Sequence, residues 1–423
     1  MSNGKKIISL LLSLIMALSV FAVVPFSAAA AATGGQSGDF TYTLENGEAT
    51  ITGYTGSNPT ATVPAVIDGC PVTKIGEKAF YESASVKSVI LPDPVREIGD
   101  LAFSRCAQLE SISIPKTLTT VTPYAFDNTP TLKTVTFEEG ITKIPDDLFH
   151  CSPYAKTVSL EQVTIPASVT EIGKLAFSGC QNLMNVTFAG DAVTKIDTSA
   201  FAYCGFTSID LPDNLQVLGA LAFGWNRLES LEIPRSLREI DLGNRGCGPF
   251  AYGIAPTVFT FEEGTTKIIP YLFDNCTGLK SIEIPGTVTE IGDHAFNHCS
   301  NLESITIPAS VTSIGADAFA EIENLTICGY VGSYAEQYAA EKGIDFLNIG
   351  PAILGDVDSD GEVNIIDATV LQRYLVNIRA KHFNEAAADV DADGTITIVD
   401  VTFLSRSLVG IPTPCKGIAE PIA

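Results

Sequence analysis

The sequence predicts a β-rich repeat solenoid of about 11 coils, followed by a small α-helical module with two EF-hand-like calcium loops. Three observations predict this fold class. A phenylalanine recurs about every 23 residues, each unit carries a short strand pattern, and two acidic twelve-residue segments lie near the C-terminus. At 423 residues the chain exceeds one ordinary globular core, which agrees with a repeat array.

The N-terminus has the pattern of a secretory signal peptide. Two lysines precede an apolar run over residues 7–24, and small residues follow at 27–32. We therefore expect residues 1–32 to be cleaved and the mature chain to begin near Thr33. An uncleaved anchor is the alternative, because the run touches the lower limit for crossing a bilayer.

The charge of the chain excludes two classes of partner. The formal net charge is -24, and it becomes about -26 once the two lysines of the signal peptide are removed. Such a charge repels nucleic acids and anionic membrane surfaces. We expect no nucleic-acid partner and no membrane span in the mature protein.

The repeats dominate the chain, and residues 302–319 show one unit clearly. Ile305 and Ile307 alternate with polar residues, which predicts a short strand with one buried face. Pro308 ends the strand, and Phe319 enters the core of the coil. Because no unit can bury its apolar face alone, the units must stack, at about 4.8 Å per coil. The repeat phenylalanines are Phe80, Phe103, Phe126, Phe149, Phe177, Phe201, Phe223, Phe250, Phe273, Phe296 and Phe319.

Five of the ten cysteines share one position, three residues after the repeat phenylalanine. Other coils have asparagine, threonine or serine there, so the position favours a small side chain that bonds to backbone in a tight turn. We predict buried free thiols rather than disulfides at Cys106, Cys180, Cys204, Cys276 and Cys299. The states of Cys70, Cys247, Cys328 and Cys415 stay open.

The repeat pattern L-x-x-I-x-I-P-x-x-V-x-x-I-G-x-x-A-F-x-x-C resembles the BspA-like leucine-rich repeats of bacterial surface proteins. The resemblance covers residues 41–348. It implies an N-terminal cap at residues 33–72, a leucine-rich-repeat solenoid at 73–328 and a C-terminal cap helix at 329–350. Such caps cover the terminal cores of a repeat array.

Two segments after the solenoid have the composition of calcium loops. Residues 356–367 and 389–400 are offset by 33 residues, and each has glycine at its sixth position. Oxygen-bearing residues at positions one, three, five, nine and twelve can wrap such a loop around calcium. A pair of acidic surface turns is the alternative. With position seven included, the predicted ligands of two Ca²⁺ ions are Asp356, Asp358, Asp360, Glu362, Asn364, Asp367, Asp389, Asp391, Asp393, Thr395, Thr397 and Asp400.

A calcium loop followed by one helix, present twice, resembles a type I dockerin over residues 355–412, with a tail at 413–423. The resemblance implies binding to a cohesin module of a scaffold protein, as in cellulosome-type assemblies. Thr397 replaces the usual acid or amide at position nine, so we expect a bridging water in the second site.

The resemblance also implies which residues contact the partner. Many dockerins have a serine–threonine pair at loop positions ten and eleven, whereas this chain has aliphatic pairs, which favours an apolar contact. The alternative is that the pairs belong to the core of the small module. The implied partner-binding residues are Ile365, Ile366, Arg373, Ile398, Val399 and Arg406.

We find no catalytic constellation in the sequence. The acid pairs that begin at Glu138 and Glu262 lie five coils apart, near 24 Å at about 4.8 Å per coil, whereas glycosidase carboxylates stand roughly 5–9.5 Å apart. His294 and His298 have helical spacing, but the residues between them are core positions. An insertion at residues 241–256, expected to loop out of its coil, and Trp225 are better candidates for binding.

These observations predict a secreted, non-catalytic attachment protein that is associated with a cell surface or cellulosome. The C-terminal module would bind a cohesin, and the solenoid would bind an unknown protein or glycan. A polysaccharide-degrading enzyme with an unrecognised site, or a surface adhesin anchored through the dockerin, are the alternatives.

Overall fold

The computed structural model describes residues 33–151, 158–255, 257–350, 354–358, 362–378, 383–391 and 394–411. The predicted signal peptide and C-terminal tail lie outside the described residues. Asp360, Asp393, His382 and Cys415 lie outside them as well.

Antiparallel hairpins begin the fold. The first strands are β1 (Thr33–Ser37), β2 (Phe40–Glu45), β3 (Glu48–Tyr54), β4 (Thr60–Thr62), β5 (Val66–Ile67) and β6 (Cys70–Ile75). Strands β1, β2 and β3 pair antiparallel, and β3 then pairs in parallel with β6. Asn46 and Gly47 both have positive φ and form the two-residue turn between β2 and β3.

Short strands then recur along the coils. They are β7 (Ser88–Ile90), β8 (Glu97–Ile98), β9 (Ser111–Ile114), β10 (Thr120–Val121), β11 (Thr134–Phe137), β12 (Lys143–Ile144), β13 (Gln162–Ile165), β14 (Glu171–Ile172), β15 (Asn185–Phe188), β16 (Lys195–Ile196), β17 (Val217–Gly219), β18 (Ser230–Ile233), β19 (Glu239–Asp241), β20 (Val258–Phe261), β21 (Lys267–Ile268), β22 (Glu290–Ile291), β23 (Ser304–Thr306), β24 (Ser313–Ile314), β25 (Thr326–Gly329) and β26 (Asp345–Asn348).

The coil strands form two rows of parallel ladders. One row contains β4–β7–β9–β11, β13–β15, β18–β20 and β23–β25–β26, and the other contains β6–β8–β10, β12–β14–β16–β17–β19 and β21–β22–β24. Equivalent residues of successive units pair with each other, as Ser111 does with Thr134. The solenoid is confirmed, and with its ends it makes about 13 turns rather than about 11.

The repeat phenylalanines stack inside the solenoid. Adjacent ring centroids are 4.9 Å apart at Phe80–Phe103 and 5.0 Å apart at Phe103–Phe126. The separation grows to 5.8 Å at Phe149–Phe177, where the repeat is longer. The rings are buried, so they anchor the core that runs through the array.

The backbone around the repeat phenylalanines follows one pattern in most coils. The residue two positions later has positive φ in successive coils, as in Glu82, Arg105 and Asn128. The N–H of Phe103 donates to the carbonyl of Ala125, in the next coil, at 2.8 Å, and the same bond is made by Phe80, Phe149, Phe177, Phe201, Phe223, Phe273 and Phe296. Left-handed backbone at non-glycine residues costs about 1–2 kcal/mol, so the ladder must enforce it.

The cysteine row bonds to backbone as predicted. The thiol of Cys106 donates to the Phe80 carbonyl of the preceding coil at 2.9 Å, and that of Cys299 donates to the Phe273 carbonyl at 3.1 Å. The row is buried, and Cys151, which the pattern leaves out, is buried too. Burial raises the pKa of the Cys106 thiol to about 11, so the thiol stays protonated at neutral pH.

A helix closes the C-terminal end of the solenoid. Helix α1 (Tyr334–Lys342) begins after the N-cap Ser333 and ends at Gly343, whose φ is +67°. Tyr338 packs edge-on against Phe319, so it covers the last ring of the stack. Strand β26 then follows the helix, which the sequence did not predict.

The insertion at residues 241–256 projects less than the sequence predicted. Only residues 243–246 form an exposed stretch, because Phe250 occupies its place in the phenylalanine stack and Cys247 is buried. Cys247 packs with Leu221 and Ala251 beneath Trp225. The prediction was therefore wrong for most of the segment, whose apolar residues complete the coil.

The C-terminal module has its own core. Its helices are α2 (Ile365–Leu375), α3 (Glu385–Ala388) and α4 (Ile398–Leu408). Helices α2 and α4 contact each other, and Val357, Leu371 and Leu404 are buried in the shared core. Among the described residues, no helix has the length and apolar character needed to cross a membrane.

Candidate functional site

The last residue of the first acidic loop draws the two ends of the loop together. We call residues 356–367 loop 1. Oδ1 of Asp367 accepts hydrogen bonds from the N–H groups of Val357 at 2.6 Å and Asp358 at 3.1 Å. Its Oδ2 accepts one from the N–H of Asn364 at 2.8 Å. One buried carboxylate thus joins the second, third and ninth residues of the loop.

The second acidic loop, residues 389–400 or loop 2, repeats this geometry. Oδ1 of Asp400 accepts from the N–H groups of Val390 at 2.7 Å and Asp391 at 3.2 Å, and Oδ2 accepts from the N–H of Thr397 at 2.7 Å. The sequence duplication is therefore a duplication of structure as well.

Each loop leads directly into its helix through a capping box. Oδ1 of Asn364 accepts from the N–H of Ile366 at 2.7 Å, and Oγ1 of Thr397 accepts from the N–H of Val399 at 3.1 Å. Asn and Thr are favoured N-caps, and an acid three residues later completes the box. As a result, loop positions ten and eleven are the first residues of each helix.

Three carboxylates converge in each loop. One group is Asp356, Asp358 and Asp367, the other is Asp389, Asp391 and Asp400, and within a group one oxygen of each residue lies within 4.8 Å of the others. Asp356, Asp367 and Asp400 are buried, and adjacent carboxylates with little access to water are destabilising unless a cation or a proton neutralises them. The donor set fits calcium, which takes oxygen ligands and would supply the positive charge that holds each loop closed.

The remaining predicted ligands are placed differently. Glu362 and Thr395, at position seven, are exposed, and calcium loops usually offer the backbone carbonyl there. Asn364 and Thr397, at position nine, are half-buried beside the carboxylates.

The aliphatic pairs on the loops are solvent-exposed. The exposed fraction is 67% for Ile365, 54% for Ile366, 65% for Ile398 and 42% for Val399. These residues are not part of the module's core, which was the alternative that the sequence left open. Exposed aliphatic residues next to each other in both loops make the pairs candidates for a contact surface.

A stripe along each helix continues from the aliphatic pair. On α2, Ile365, Thr369 and Arg373 are exposed on one helix face, and the exposed C-cap Val376 follows at a spacing that continues it. On α4 and its C-cap, residues 398, 402, 406 and 409 repeat the stripe and are exposed as well. Val376 and its counterpart Val409 were not predicted from the sequence, although their helical spacing from Ile365 and Ile398 could have revealed them.

Three aromatic rings form a ridge on the solenoid surface. The Trp225 ring stacks between those of Tyr203 and Tyr252, with centroid distances of 4.4 and 4.9 Å. We call these three residues the aromatic ridge. They occupy the left-handed position two residues after the repeat phenylalanine, where most other coils have polar residues or glycine.

The apolar surface extends beyond the ridge. Tyr252 and Ile254 are exposed, whereas Trp225 is half-buried because the insertion packs Cys247 beneath it. The sequence pointed to Trp225 but missed its two tyrosine neighbours, which a coil-by-coil alignment on the phenylalanines would have revealed.

The first glutamate of each acid pair in the solenoid forms an ion pair with a basic residue of the preceding coil. Glu138 accepts from the N–H of Lys116 at 3.1 Å and forms an ion pair with its ammonium at 2.8 Å. Glu262 does the same with Arg235, at 2.9 Å in both contacts. The Lys116 ammonium lowers the pKa of Glu138 to about 2. A carboxylate so engaged and so acidic is unsuited to proton transfer.

The two histidines of residues 294–298 do not form a site together. His294 instead groups with Asp293 and Asp317, and its Nε2 lies 3.6 Å from Oδ2 of Asp293. Its Nδ1 is buried and has no hydrogen-bond partner among the described residues. A metal-bound imidazole normally donates its other N–H to an acceptor, so we assign no metal to this cluster.

Comparison with known families finds matches over both parts of the chain. A profile described as BspA type leucine rich repeat region matches residues 73–156, 152–243 and 249–339. A profile described as dockerin type I domain matches residues 354–409. None of the curated proteins compared with the chain matches it.

Solved structures of bacterial repeat proteins are similar to the chain. A leucine rich cell surface protein from Faecalibacterium prausnitzii is 27% identical, over 72% of this chain and 96% of that one, with a TM-score of 0.32. A leucine-rich repeat protein from Bacteroides ovatus is 21% identical, over 75% and 98%, with a TM-score of 0.37. One from Bacteroides capillosus is 30% identical, over 37% and 99%, with a TM-score of 0.24.

Proposed function

Because the chain belongs to the BspA-type leucine-rich-repeat family and carries a dockerin type I domain, we propose that it is a secreted, non-catalytic attachment protein. In this proposal the dockerin binds a cohesin module of a scaffold protein when calcium is present. The repeat solenoid holds a second ligand, a protein or a glycan, at the scaffold.

The proposal rests on the geometry of loops 1 and 2. Each loop gathers three carboxylates and leads directly into a helix whose first two residues are exposed and aliphatic. Calcium would neutralise the carboxylates and fix the start of the helix, so the aliphatic pair would be presented to a partner only when the ion is bound. Burial of that pair against an apolar partner surface would stabilise the complex.

The aromatic ridge is the part of the solenoid that we propose for ligand contact. Tyrosine and tryptophan contribute disproportionately to binding energy at protein interfaces, and the mutual stacking of these rings fixes them before a ligand arrives. The polysaccharide-degrading alternative has less support, because Glu138 and Glu262 are engaged in ion pairs with basic residues of the preceding coils.

The test compares loop variants of the mature chain, residues 33–423, for capture by immobilised cohesin modules. Asp367→Asn combined with Asp400→Asn should abolish capture in calcium, because both loops lose the carboxylate that closes them. The control Asp213→Asn removes one charge from the solenoid surface and should bind like the unaltered chain. Capture of the double variant at unaltered affinity would overturn the proposal.

A further inference from the structure

We propose that the two calcium loops are unequal and fill in order, loop 1 before loop 2. The inference rests on the proposed calcium binding and goes beyond it by ranking the two sites. Both loops have aspartate at positions one, three, five and twelve. The hydrogen bonds of their last residues are closely alike, at 2.6, 3.1 and 2.8 Å for Asp367 and 2.7, 3.2 and 2.7 Å for Asp400. Any difference in affinity must therefore come from other residues.

Position seven gives loop 1 one more negative charge. It is Glu362 in loop 1 and Thr395 in loop 2, so the loops contain five and four acidic residues. Even where the backbone carbonyl of position seven is the ligand, the Glu362 carboxylate adds negative charge close to the ion, and charge is one of the two properties that tune calcium affinity in such loops. A further unit charge several ångströms from a divalent ion, in a water-like medium, strengthens binding by roughly tenfold.

Position nine favours loop 1 as well. The amide oxygen of Asn364 accepts from the N–H groups of Ile366 and Asp367 at the start of α2, and neither bond engages a carboxylate oxygen. The hydroxyl of Thr397 accepts from the N–H of Val399, and it donates to Oδ2 of Asp400 at 3.4 Å. In loop 2 the residue at position nine therefore competes with the ion for a carboxylate oxygen.

Loop 1 is also the more enclosed site. Asp356 is fully buried, whereas its counterpart Asp389 is half-buried. The chain on either side of Asp356 is held by two backbone hydrogen bonds of 2.9 Å, from Gly355 to Ala387 and from Asn384 to Val357. Rigidity is the second property that tunes these sites, and enclosure reduces screening of the ion by solvent.

The order has a consequence for the helices. At intermediate calcium, loop 1 holds an ion and α2 presents Ile365 and Ile366, whereas loop 2 is empty and the start of α4 is unfixed. The two faces of the dockerin therefore become available at different calcium concentrations.

Isothermal titration of the mature chain with calcium chloride tests the order. We expect two ions, with dissociation constants at least about tenfold apart. Asp400→Asn should remove the weaker step and keep the tighter one. The double variant Thr395→Glu, Thr397→Asn gives loop 2 the residues of loop 1 and should bring the two steps together. Its counterpart Glu362→Thr, Asn364→Thr should weaken the tighter step.

Hydrogen exchange at a series of calcium concentrations gives a readout that does not depend on any variant. Amides of α2 should become protected at lower calcium than those of α4. Two equal steps with simultaneous protection, or loss of the tighter step in Asp400→Asn, would overturn the order. Absence of any calcium binding would overturn the proposed function itself, so the two failures are distinguishable.

Discussion

Removing the aliphatic pairs of the dockerin should affect binding in a strongly non-additive way. At saturating calcium both faces are formed, and their residues repeat with a 33-residue offset. Changing Ile365 and Ile366 to aspartate removes one of two equivalent ways of binding. The expected loss is about 0.4 kcal/mol, a factor of about two in the dissociation constant.

Changing Ile398 and Val399 to aspartate as well should abolish binding. Full burial of an isoleucine stabilises by about 1.5–3 kcal/mol, and Ile365 and Ile366 are 67% and 54% exposed, so each pair can contribute about 2–3 kcal/mol. Aspartates placed in that contact add a desolvation penalty of about 2 kcal/mol or more. Together these terms exceed about 4 kcal/mol, a loss of roughly a thousandfold.

Biolayer interferometry against an immobilised cohesin measures the affinities of the unaltered chain, the two-residue variant and the four-residue variant. Calcium titration and circular dichroism establish that each variant still folds. Asn301→Asp combined with Thr312→Asp adds two charges to the exposed surface of the solenoid and serves as the matched control. A folded four-residue variant that keeps its affinity would refute the reasoning, and Arg373 and Arg406 would then be the next candidates.

Other predictions concern the solenoid. Phe177→Ala, between the rings of Phe149 and Phe201, should lower the free energy of unfolding by about 3–5 kcal/mol in urea denaturation, whereas a loss below about 1 kcal/mol would mean that the stack is not the core. Thiol titration should find few reactive groups in the native protein and ten after denaturation under reducing conditions, and a bridge at Cys180 or Cys299 in mass spectrometry would contradict this. The depressed pKa of Glu138 means that its ion pair contributes stability above its ordinary pKa of 4.5 and loses it as pH falls through about 2. Glu138→Gln should remove that part of the pH dependence, and an unchanged acid unfolding profile would argue against the ion pair.

The repetitive parts of the fold were predictable because each coil must bury the same apolar positions against its neighbours. The period of Phe80, Phe103 and Phe126 determines which residues stack, and the cysteine row follows from its place three residues later. The same logic failed for residues 241–256, where a longer repeat looked like a loop. Most of that segment is retained in the coil because Phe250 and Cys247 have apolar neighbours that only the three-dimensional structure brings together.

The sequence predicted some of the candidate sites and missed others. The calcium loops could be recognised because all their ligands lie within twelve residues of sequence. The aromatic ridge was missed because Tyr203, Trp225 and Tyr252 lie in coils of unequal length and become neighbours only when the coils are aligned on their phenylalanines. The exposure of Ile365 and Ile398 also required the structure, since an aliphatic residue in a small module is equally compatible with its core.

Calcium-dependent binding of the mature chain to a panel of cohesin modules tests the central claim most directly. Surface plasmon resonance in millimolar calcium should detect a tight complex with at least one cohesin, and the complex should dissociate when a chelator is added. Restoring calcium should restore binding, because the loops close again around the ion. Binding that persists unchanged in chelator, or failure of the calcium-loaded, folded chain to bind any cohesin, would contradict the account.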